Sequence, residues 1–142
     1  MLENIIVMAI ESAKNKELKN VRFVNTGAEY LPRYIPEQSI SNVYLNFSPP
    51  LPKDGYEHRR LTCDRHVLAY KLFLKSGGCV YQKTDDRPFF EYSLSKFNEH
   101  GFNVQDVTEL LNGGKIDNIQ TEYEKKFKAL GIKANMLIAK KV

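Results

Sequence analysis

The sequence predicts an α/β fold built on a largely parallel sheet whose last strand is antiparallel. Two features of the chain indicate this class. Short segments rich in β-branched and aromatic residues, typical of strands, alternate with segments whose apolar residues recur at helical spacing. The intervals between the strand segments are long enough for the crossover helices that parallel strands need. With 142 residues, of which 42% are hydrophobic, the chain is expected to form a single domain over residues 1–142.

The first third of the chain predicts two helices and two strands. Residues 20–24 (NVRFV) and 41–47 (SNVYLNF) have strand composition, and residues 30–38 (YLPRYIPEQ) suit a short helix between them. The second strand ends at prolines, which cannot donate to a ladder. The opening helix covers residues 2–18, and its expected apolar face consists of Leu2, Ile5, Ile6, Ala9 and Ala13.

The middle of the chain predicts two helices around a third strand, residues 79–84 (CVYQKT). Thr62 is the expected N-cap of the first helix, and the glycine pair at residues 77–78 is its expected end. Asp86 is the expected N-cap of the second helix, with Pro88 in the first turn. The apolar residues along these two helices are Val67, Leu68, Leu72, Leu74, Phe90, Leu94 and Phe97.

The last third predicts a strand at residues 102–108 (FNVQDVT), a polar interval at 112–120, a helix at 121–131 (TEYEKKFKALG) and the antiparallel strand at 134–142 (ANMLIAKKV). Ligands of parallel α/β sheets bind outside the carboxyl ends of the strands. Three loops are expected at such ends, namely residues 25–29 (NTGAE), 48–53 (SPPLPK) and 84–87 (TDDR).

Composition argues against several classes of protein. No run approaches the ~20 apolar residues of a membrane-spanning helix, and the first residues lack the basic start and cleavage site of a signal peptide. We therefore expect a cytoplasmic protein without a membrane partner. Cys63 and Cys79 are too few for a disulfide framework, and neither they nor His58 and His66 have metal-ligand spacing, so no metal is expected. The formal net charge of +4 favours an anionic partner.

Four segments resemble the sequence blocks of one known family. They are YLNFSPPLPK (44–53), RRLT (59–62), KTDDRPFFEYSL (83–94) and TEYEKKF (121–127). In residues, order and spacing they look like the blocks of the bacterial tRNA (guanine-N7)-methyltransferases, and the resemblance runs from Val21 to the C-terminus. It implies a Rossmann-like class I fold, S-adenosylmethionine as cofactor, tRNA as partner, and methylation of guanine N7 in the tRNA variable loop.

The resemblance also implies roles for individual residues. The family's substrate-binding positions correspond to Lys53, Asp85, Thr121, Glu122, Tyr123 and Glu124. Its RNA contacts correspond to Gly55, Tyr56, His58, Arg59 and Arg60, and the cofactor positions that remain are Ala28, Glu29 and Asn46. Guanine N7 is already a nucleophile and the sulfonium methyl group an electrophile, so the reaction needs their alignment more than a strong base. The Asp85 carboxylate can accept hydrogen bonds from the N–H edge of guanine, and arginines suit phosphate oxygens.

These residues also have purely structural interpretations. Asp85 follows a strand and could cap the next helix. Arg59 and Arg60 could be a solvated surface pair, and Glu124 could form an ion pair with Lys128 one helical turn away.

The chain departs from the family pattern in the cofactor and catalytic segments. Where the family has Asp-Pro-Trp-Pro-Lys, residues 49–53 read PPLPK, so Pro49 replaces the usual catalytic carboxylate and no catalytic residue is assigned. The family's glycine-rich loop and acidic strand end, which precede the first helix, have no counterpart in the 142 residues. We therefore expect an N-terminally truncated domain whose cofactor binding is doubtful and whose activity alone is impaired or absent. A partner chain or self-association is expected to complete the sheet.

Other interpretations remain open. The SPPL segment resembles the loop by which amino-methyltransferases hold an exocyclic amine, although Leu51 lacks the aromatic face of that loop. The absent carboxylate and the lysines near the C-terminus also suit a non-catalytic module that binds RNA or a partner protein. A truncated reading frame, half of a split enzyme, a degenerate paralogue and a relic without function are equally compatible with the sequence.

Overall fold

The computed structural model describes residues 2–142, with side chains from Asn4 onward, so the predicted packing of Leu2 lies outside the described side chains. The elements alternate between helices and strands, which confirms the α/β class. In chain order they are α1 (Leu2–Asn15), a first 3-10 helix (Ala28–Arg33), β1 (Ile40–Asn46), a second 3-10 helix (Asp54–Arg59), α2 (Asp64–Phe73), β2 (Leu74–Thr84), α3 (Arg87–Glu99), β3 (Phe102–Asp106), α4 (Thr108–Asn112), α5 (Glu122–Ala129) and β4 (Asn135–Lys141).

Within the described chain, four strands form one mixed sheet in the order β1-β2-β4-β3. β1 and β2 are parallel, with Asn46 opposite Lys83, and β4 is antiparallel to both β2 and β3. The predicted sheet with an antiparallel last strand is thus confirmed. Because β1 and β2 are parallel neighbours, residues 48–53 and 84–87 leave the sheet at the same edge.

One face of the sheet packs against α2 and α3 and forms the hydrophobic core. Alternation along β2 sends Val80 into this core and Tyr81 to the opposite face. Each large apolar side chain buried here contributes roughly 1.5–3 kcal/mol of transfer free energy. The core side chains that are essentially inaccessible to solvent are Val67, Leu74, Val80, Phe90, Phe97, Leu137 and Ala139.

The middle of the opposite sheet face is exposed. Tyr44 is 62% exposed and stacks on Tyr81, with ring centroids 4.9 Å apart. Helix α1 also exposes apolar side chains, since Ile5 and Met8 are 62% and 68% accessible. Sheets with parallel strands normally have both faces covered. The described residues therefore leave apolar surface of one sheet face and one helix exposed to solvent.

None of the helices in residues 2–142 is long and apolar enough to cross a membrane.

Three predictions about elements are wrong. Residues 20–24 form no strand in the described chain, because no other strand lies beside them to complete a ladder. Helix α2 ends at Phe73, before the glycine pair, and β2 begins immediately after it. The N-cap of α2 is Cys63 rather than Thr62, because the buried Thr62 hydroxyl lies 2.8 Å from the Ser93 hydroxyl on α3.

The other predicted elements are confirmed. β1, β3, β4, α3 and α5 lie within two or three residues of their predicted bounds, and the first 3-10 helix overlaps the short helix expected at residues 30–38. Asp86 is the N-cap of α3, where its carboxylate accepts a hydrogen bond from the Phe89 N–H at 2.7 Å. Helix α4 is an addition that the polar composition of its surroundings did not predict.

Candidate functional site

Residues 48–53, here called the proline loop, leave β1 at the carboxyl edge of the sheet. Phe47 and Leu51 have left-handed backbones, with φ of 51° and 45°. For a residue with a side chain such a conformation costs about 1–3 kcal/mol and persists only when its surroundings hold it. The Arg60 guanidinium donates to the carbonyl oxygens of Pro50 at 3.0 Å and Leu51 at 3.1 Å. The Phe47 N–H donates to the Lys83 carbonyl at 2.8 Å, so the loop is fixed from both sides.

The two arginines after the proline loop differ in what they can contact. Arg60 is half-buried, and its guanidinium lies over the Tyr92 ring at 4.5 Å. Burial raises the pKa of Tyr92 to about 12, which keeps this phenol neutral. Arg59 is exposed, with its guanidinium 5.6 Å from the Tyr56 ring. The other predicted contacts in this segment are exposed as well: Lys53, Gly55 and His58.

Asp85 lies at the carboxyl end of β2, directly beyond Thr84, and is exposed. The helix cap that follows is Asp86, so the structural interpretation of Asp85 as a cap is wrong. The Asp86 N–H donates to the Thr84 hydroxyl at 3.1 Å, which tightens the turn on either side of Asp85. Among the described residues, none forms a side-chain hydrogen bond or ion pair with the Asp85 carboxylate, which therefore faces solvent at the strand end.

A group of buried and half-buried polar side chains lies beside this edge, on the sheet face opposite the core. This Lys83 cluster comprises Lys83, Asn118, Thr121 and Glu124. The Lys83 ammonium donates to the Glu124 carboxylate at 2.9 Å, to the Asn118 side-chain oxygen, and to the Ile119 carbonyl at 3.3 Å. The side chains of Lys83 and Glu124 are only 6% and 7% exposed. A charged pair this buried is stable only when further hydrogen bonds satisfy it, as they do here.

Glu124 and Thr121 form a capping box at the start of α5. The Glu124 carboxylate accepts from the Thr121 N–H at 2.8 Å and from the Asn118 amide at 3.0 Å, and the Thr121 hydroxyl accepts from the Glu124 N–H at 3.2 Å. Burial raises the pKa of Glu124, but the Thr121 N–H, Lys83 and Asn118 outweigh it, so the pKa is lowered. The ion-pair partner of Glu124 is thus Lys83, not the suggested Lys128.

The structure brings three of the predicted substrate segments together. Tyr123 is 58% exposed and stacks near Phe47, with ring centroids 5.8 Å apart, so α5 contacts the residue that opens the proline loop. Glu122 is exposed, whereas the polar atoms of Thr121 and Glu124 bond inside the protein. Sequence reasoning missed Lys83, Asn118 and Phe47. A detectable signal existed for Lys83, because a charged residue just before the end of a buried strand needs a partner.

The predicted cofactor residues do not converge. Ala28 and Glu29 lie in the first 3-10 helix, and the Glu29 carboxylate is 3.9 Å from the His66 ring nitrogen. A hydrogen bond from its own backbone and the charge of Arg65 lower the pKa of Glu29. Asn46 instead lines a cavity of about 720 Å³ on the open sheet face, which neither Ala28 nor Glu29 lines. Among the described side chains, no group is suited to hold a metal ion.

Comparison with known proteins identifies close relatives. A family model described as "Putative methyltransferase" matches residues 1–137. The tRNA (guanine-N(7)-)-methyltransferase of Bacillus subtilis (strain 168) is 40% identical over 132 residues, which is 92% of this chain and 62% of the relative. The corresponding protein of Clostridium novyi (strain NT) is 41% identical over 140 residues, which is 97% of this chain and 65% of the relative. The chain thus spans a little under two thirds of the length of these relatives.

Solved structures with low sequence identity share the fold. TrmN from Thermus thermophilus superposes with a TM-score of 0.63 at 20% identity, covering 99% of this chain and 34% of that chain. An rRNA methylase from Streptococcus thermophilus superposes with a TM-score of 0.61 at 14% identity, covering 99% of this chain and 69% of that chain. These likenesses confirm the predicted Rossmann-like fold of class I S-adenosylmethionine-dependent methyltransferases.

Proposed function

The chain belongs to the bacterial tRNA (guanine-N7)-methyltransferase family, and from this premise we propose that it forms the part of such an enzyme that holds the tRNA guanine. One observation carries the proposal. The proline loop, Asp85 and the start of α5 meet at the carboxyl edge of β1 and β2, which is where α/β sheets bind ligands. The methyl donor is S-adenosylmethionine, and the acceptor is guanine N7 in the tRNA variable loop.

The exposed residues at this edge have the chemistry that guanine in RNA requires. The Asp85 carboxylate accepts hydrogen bonds from the N–H groups of the guanine edge, and its lack of an internal partner supports this role. Lys53 and Arg59 contact phosphates, because both are exposed cations beside the loop. Tyr123 offers a partly exposed ring next to the bound base. Thr121 and Glu124 hold the start of α5 in place.

The reaction does not require a strong acid or base among these residues. The N7 lone pair of guanine is a nucleophile without proton removal, so recognition consists of presenting N7 in a fixed direction. Pro49 has no carboxylate, and the cavity that Asn46 lines does not include Ala28 or Glu29. The chain by itself is therefore a recognition unit with impaired or absent methyl transfer.

The open sheet face supports a further polypeptide as partner. β1 is an edge strand that pairs only with β2 in the described chain, and Tyr44 and Ile138 lie beside the cavity on the same face. Unpaired strand edges and apolar patches are typical sites of protein association. A partner segment, or self-association of the chain, packs on this face and completes the sheet.

Filter binding of two tRNA transcripts tests the guanine site. One transcript carries guanine in the variable loop, and the other carries adenine at that position. We expect the wild-type protein to bind the guanine transcript more tightly than the adenine transcript. Asp85→Asn should lose this preference, and its affinity for the guanine transcript should fall on the order of tenfold, because the N–H edge of guanine loses its acceptor. Glu109→Gln, which changes an exposed carboxylate on α4, is the matched control. Equal binding of both transcripts by wild type, or no binding, contradicts the proposal.

A further inference from the structure

Building on the proposed function, we propose that Lys83 is a positioning residue for guanine recognition, which acts through Asn118 and Glu124 and not by contact with RNA. It links the three segments that meet at the carboxyl edge. Its backbone carbonyl accepts the Phe47 N–H at the start of the proline loop, and its side chain bonds to Glu124 at the start of α5. The chain continues from Lys83 through Thr84 directly to Asp85.

The loop at residues 116–120 depends on Lys83 for its conformation. The loop has no regular secondary structure. Ile116 is only half-buried and Ile119 is 91% exposed, so burial of apolar side chains contributes little to holding it. Two of the three acceptors of the Lys83 ammonium, the Asn118 side chain and the Ile119 carbonyl, lie in this loop. The loop in turn borders the cavity on the open sheet face. Removal of the ammonium is therefore expected to release the loop and the start of α5 together.

The Lys83 ammonium has no capacity left for a phosphate. An ammonium carries three N–H donors, and here three acceptors use them: Glu124, Asn118 and Ile119. The side chain is only 6% exposed, and the adjacent Glu124 carboxylate neutralises its charge. Lys83 thus differs from Lys53 and Arg59, which are exposed. The prediction that distinguishes a positioning role from a phosphate contact is a change of RNA affinity without a change in its salt dependence.

A matched set of variants separates these effects. Lys83→Met removes the ammonium but keeps an apolar stem of similar length. Asn118→Ala removes the side-chain link to the loop, while the Lys83–Glu124 pair and the bond from Lys83 to the Ile119 carbonyl remain. Lys96→Met is the control, because Lys96 also forms ion pairs, with the Asp64 and Glu99 carboxylates, but lies on α3, away from the Lys83 cluster. Arg59→Ala represents an exposed phosphate contact. Each protein is studied by amide hydrogen exchange of residues 115–123 and by filter binding of the guanine transcript across a salt series.

Faster exchange in residues 115–123 is expected in Lys83→Met and Asn118→Ala but not in Lys96→Met. RNA affinity should fall on the order of tenfold in Lys83→Met, as for loss of a buried hydrogen-bonding group, with an unchanged slope of log affinity against log salt. Arg59→Ala should instead lower that slope by about 0.9, the value for one phosphate contact.

Three results overturn the inference. Unchanged exchange in both Lys83→Met and Asn118→Ala shows that the loop is held by other contacts. A slope reduced in Lys83→Met as much as in Arg59→Ala shows that Lys83 contacts phosphate directly. Failure of the wild type to bind either transcript overturns the proposed function and with it the recognition role of Lys83. The exchange data then show separately whether Lys83 holds the loop, so the two failures are distinguishable.

Discussion

Arg60 illustrates how a residue with the expected chemistry can act inside the protein. Its guanidinium bonds to the carbonyls of Pro50 and Leu51 and lies over the Tyr92 ring. The Leu51 backbone is left-handed and needs such support. Any contact between Arg60 and RNA has to use the donors that these bonds leave free. The main effect of Arg60 is therefore on the shape of the proline loop.

We expect Arg60→Ala to lower the free energy of unfolding by about 1–3 kcal/mol, because two carbonyls lose a charged donor and Tyr92 loses the nearer of its two cations. Urea denaturation measures the change. Arg59→Ala is the matched control and should stay within about 0.5 kcal/mol of wild type, since Arg59 is exposed. If the two variants lose the same stability, Arg60 does not support the loop.

Residues whose partners are nearby in sequence were predictable, and residues with distant partners were not. Asp86 caps α3 through a residue three positions away, and the pattern DDRP predicted it. Lys83 and Glu124 are 41 residues apart, and Arg60 and Pro50 are 10 apart. Local spacing carries no information about such pairs. The bonds from Arg60 to the proline loop and from Lys83 to Glu124 therefore emerged only from the fold.

At the scale of elements, α5 begins with both a capping box and a buried ion pair, and both depend on ionised Glu124. The pKa of Glu124 in the folded protein lies below the ordinary glutamate value of 4.5. The carboxylate thus stabilises the fold fully above about pH 4.5, and its contribution is lost as the pH falls through the lowered pKa.

The melting temperature of wild type should consequently fall more steeply between about pH 5 and pH 3 than that of Glu124→Gln, which has no carboxylate to protonate. Thermal unfolding followed by circular dichroism gives both curves. Glu122→Gln changes the neighbouring exposed side chain and should retain the steep wild-type dependence. Parallel curves for wild type and Glu124→Gln would show that Glu124 is not linked to acid unfolding.

Elements with a clear local pattern were predicted, and the failures share one cause. Residues 20–24 have strand composition, but β-structure also requires a neighbouring strand, and none pairs with them in the described chain. The glycine pair at residues 77–78 suggested a helix end, yet α2 stops at Phe73 because Leu74 turns into the core as the first residue of β2. Both outcomes depend on tertiary packing, which overrides local preference.

For the molecule as a whole, the sequence predicted the fold class and the edge where the substrate segments meet, because four matched blocks fix the order of strands and loops. It did not predict that the side chains of Glu29 and Asn46 would have different neighbours. Glu29 faces His66 and Arg65, whereas Asn46 faces the cavity on the open side of the sheet. Residues that match cofactor positions of the same family can therefore have different surroundings in the fold.

The isolated 142-residue chain is accordingly expected not to bind S-adenosylmethionine measurably. Ala28 and Glu29 do not line the cavity that Asn46 lines, and the 142 residues contain no glycine-rich loop to let the backbone approach the ligand closely. Isothermal titration provides the test, with circular dichroism to verify that the protein is folded. Micromolar affinity would mean that the chain contains a complete cofactor site.

The stacked pair of Tyr44 and Tyr81 gives the molecule an intrinsic optical reporter. The chain has no tryptophan, so its tyrosine fluorescence is not quenched by energy transfer to an indole. The two rings lie 4.9 Å apart at an interplanar angle of 12°, close enough for their electronic transitions to couple. Because the two rings lie on the open sheet face, any polypeptide that binds there changes the polarity of their surroundings and their coupling. Near-ultraviolet spectroscopy can therefore follow the assembly of the sheet in real time without a label.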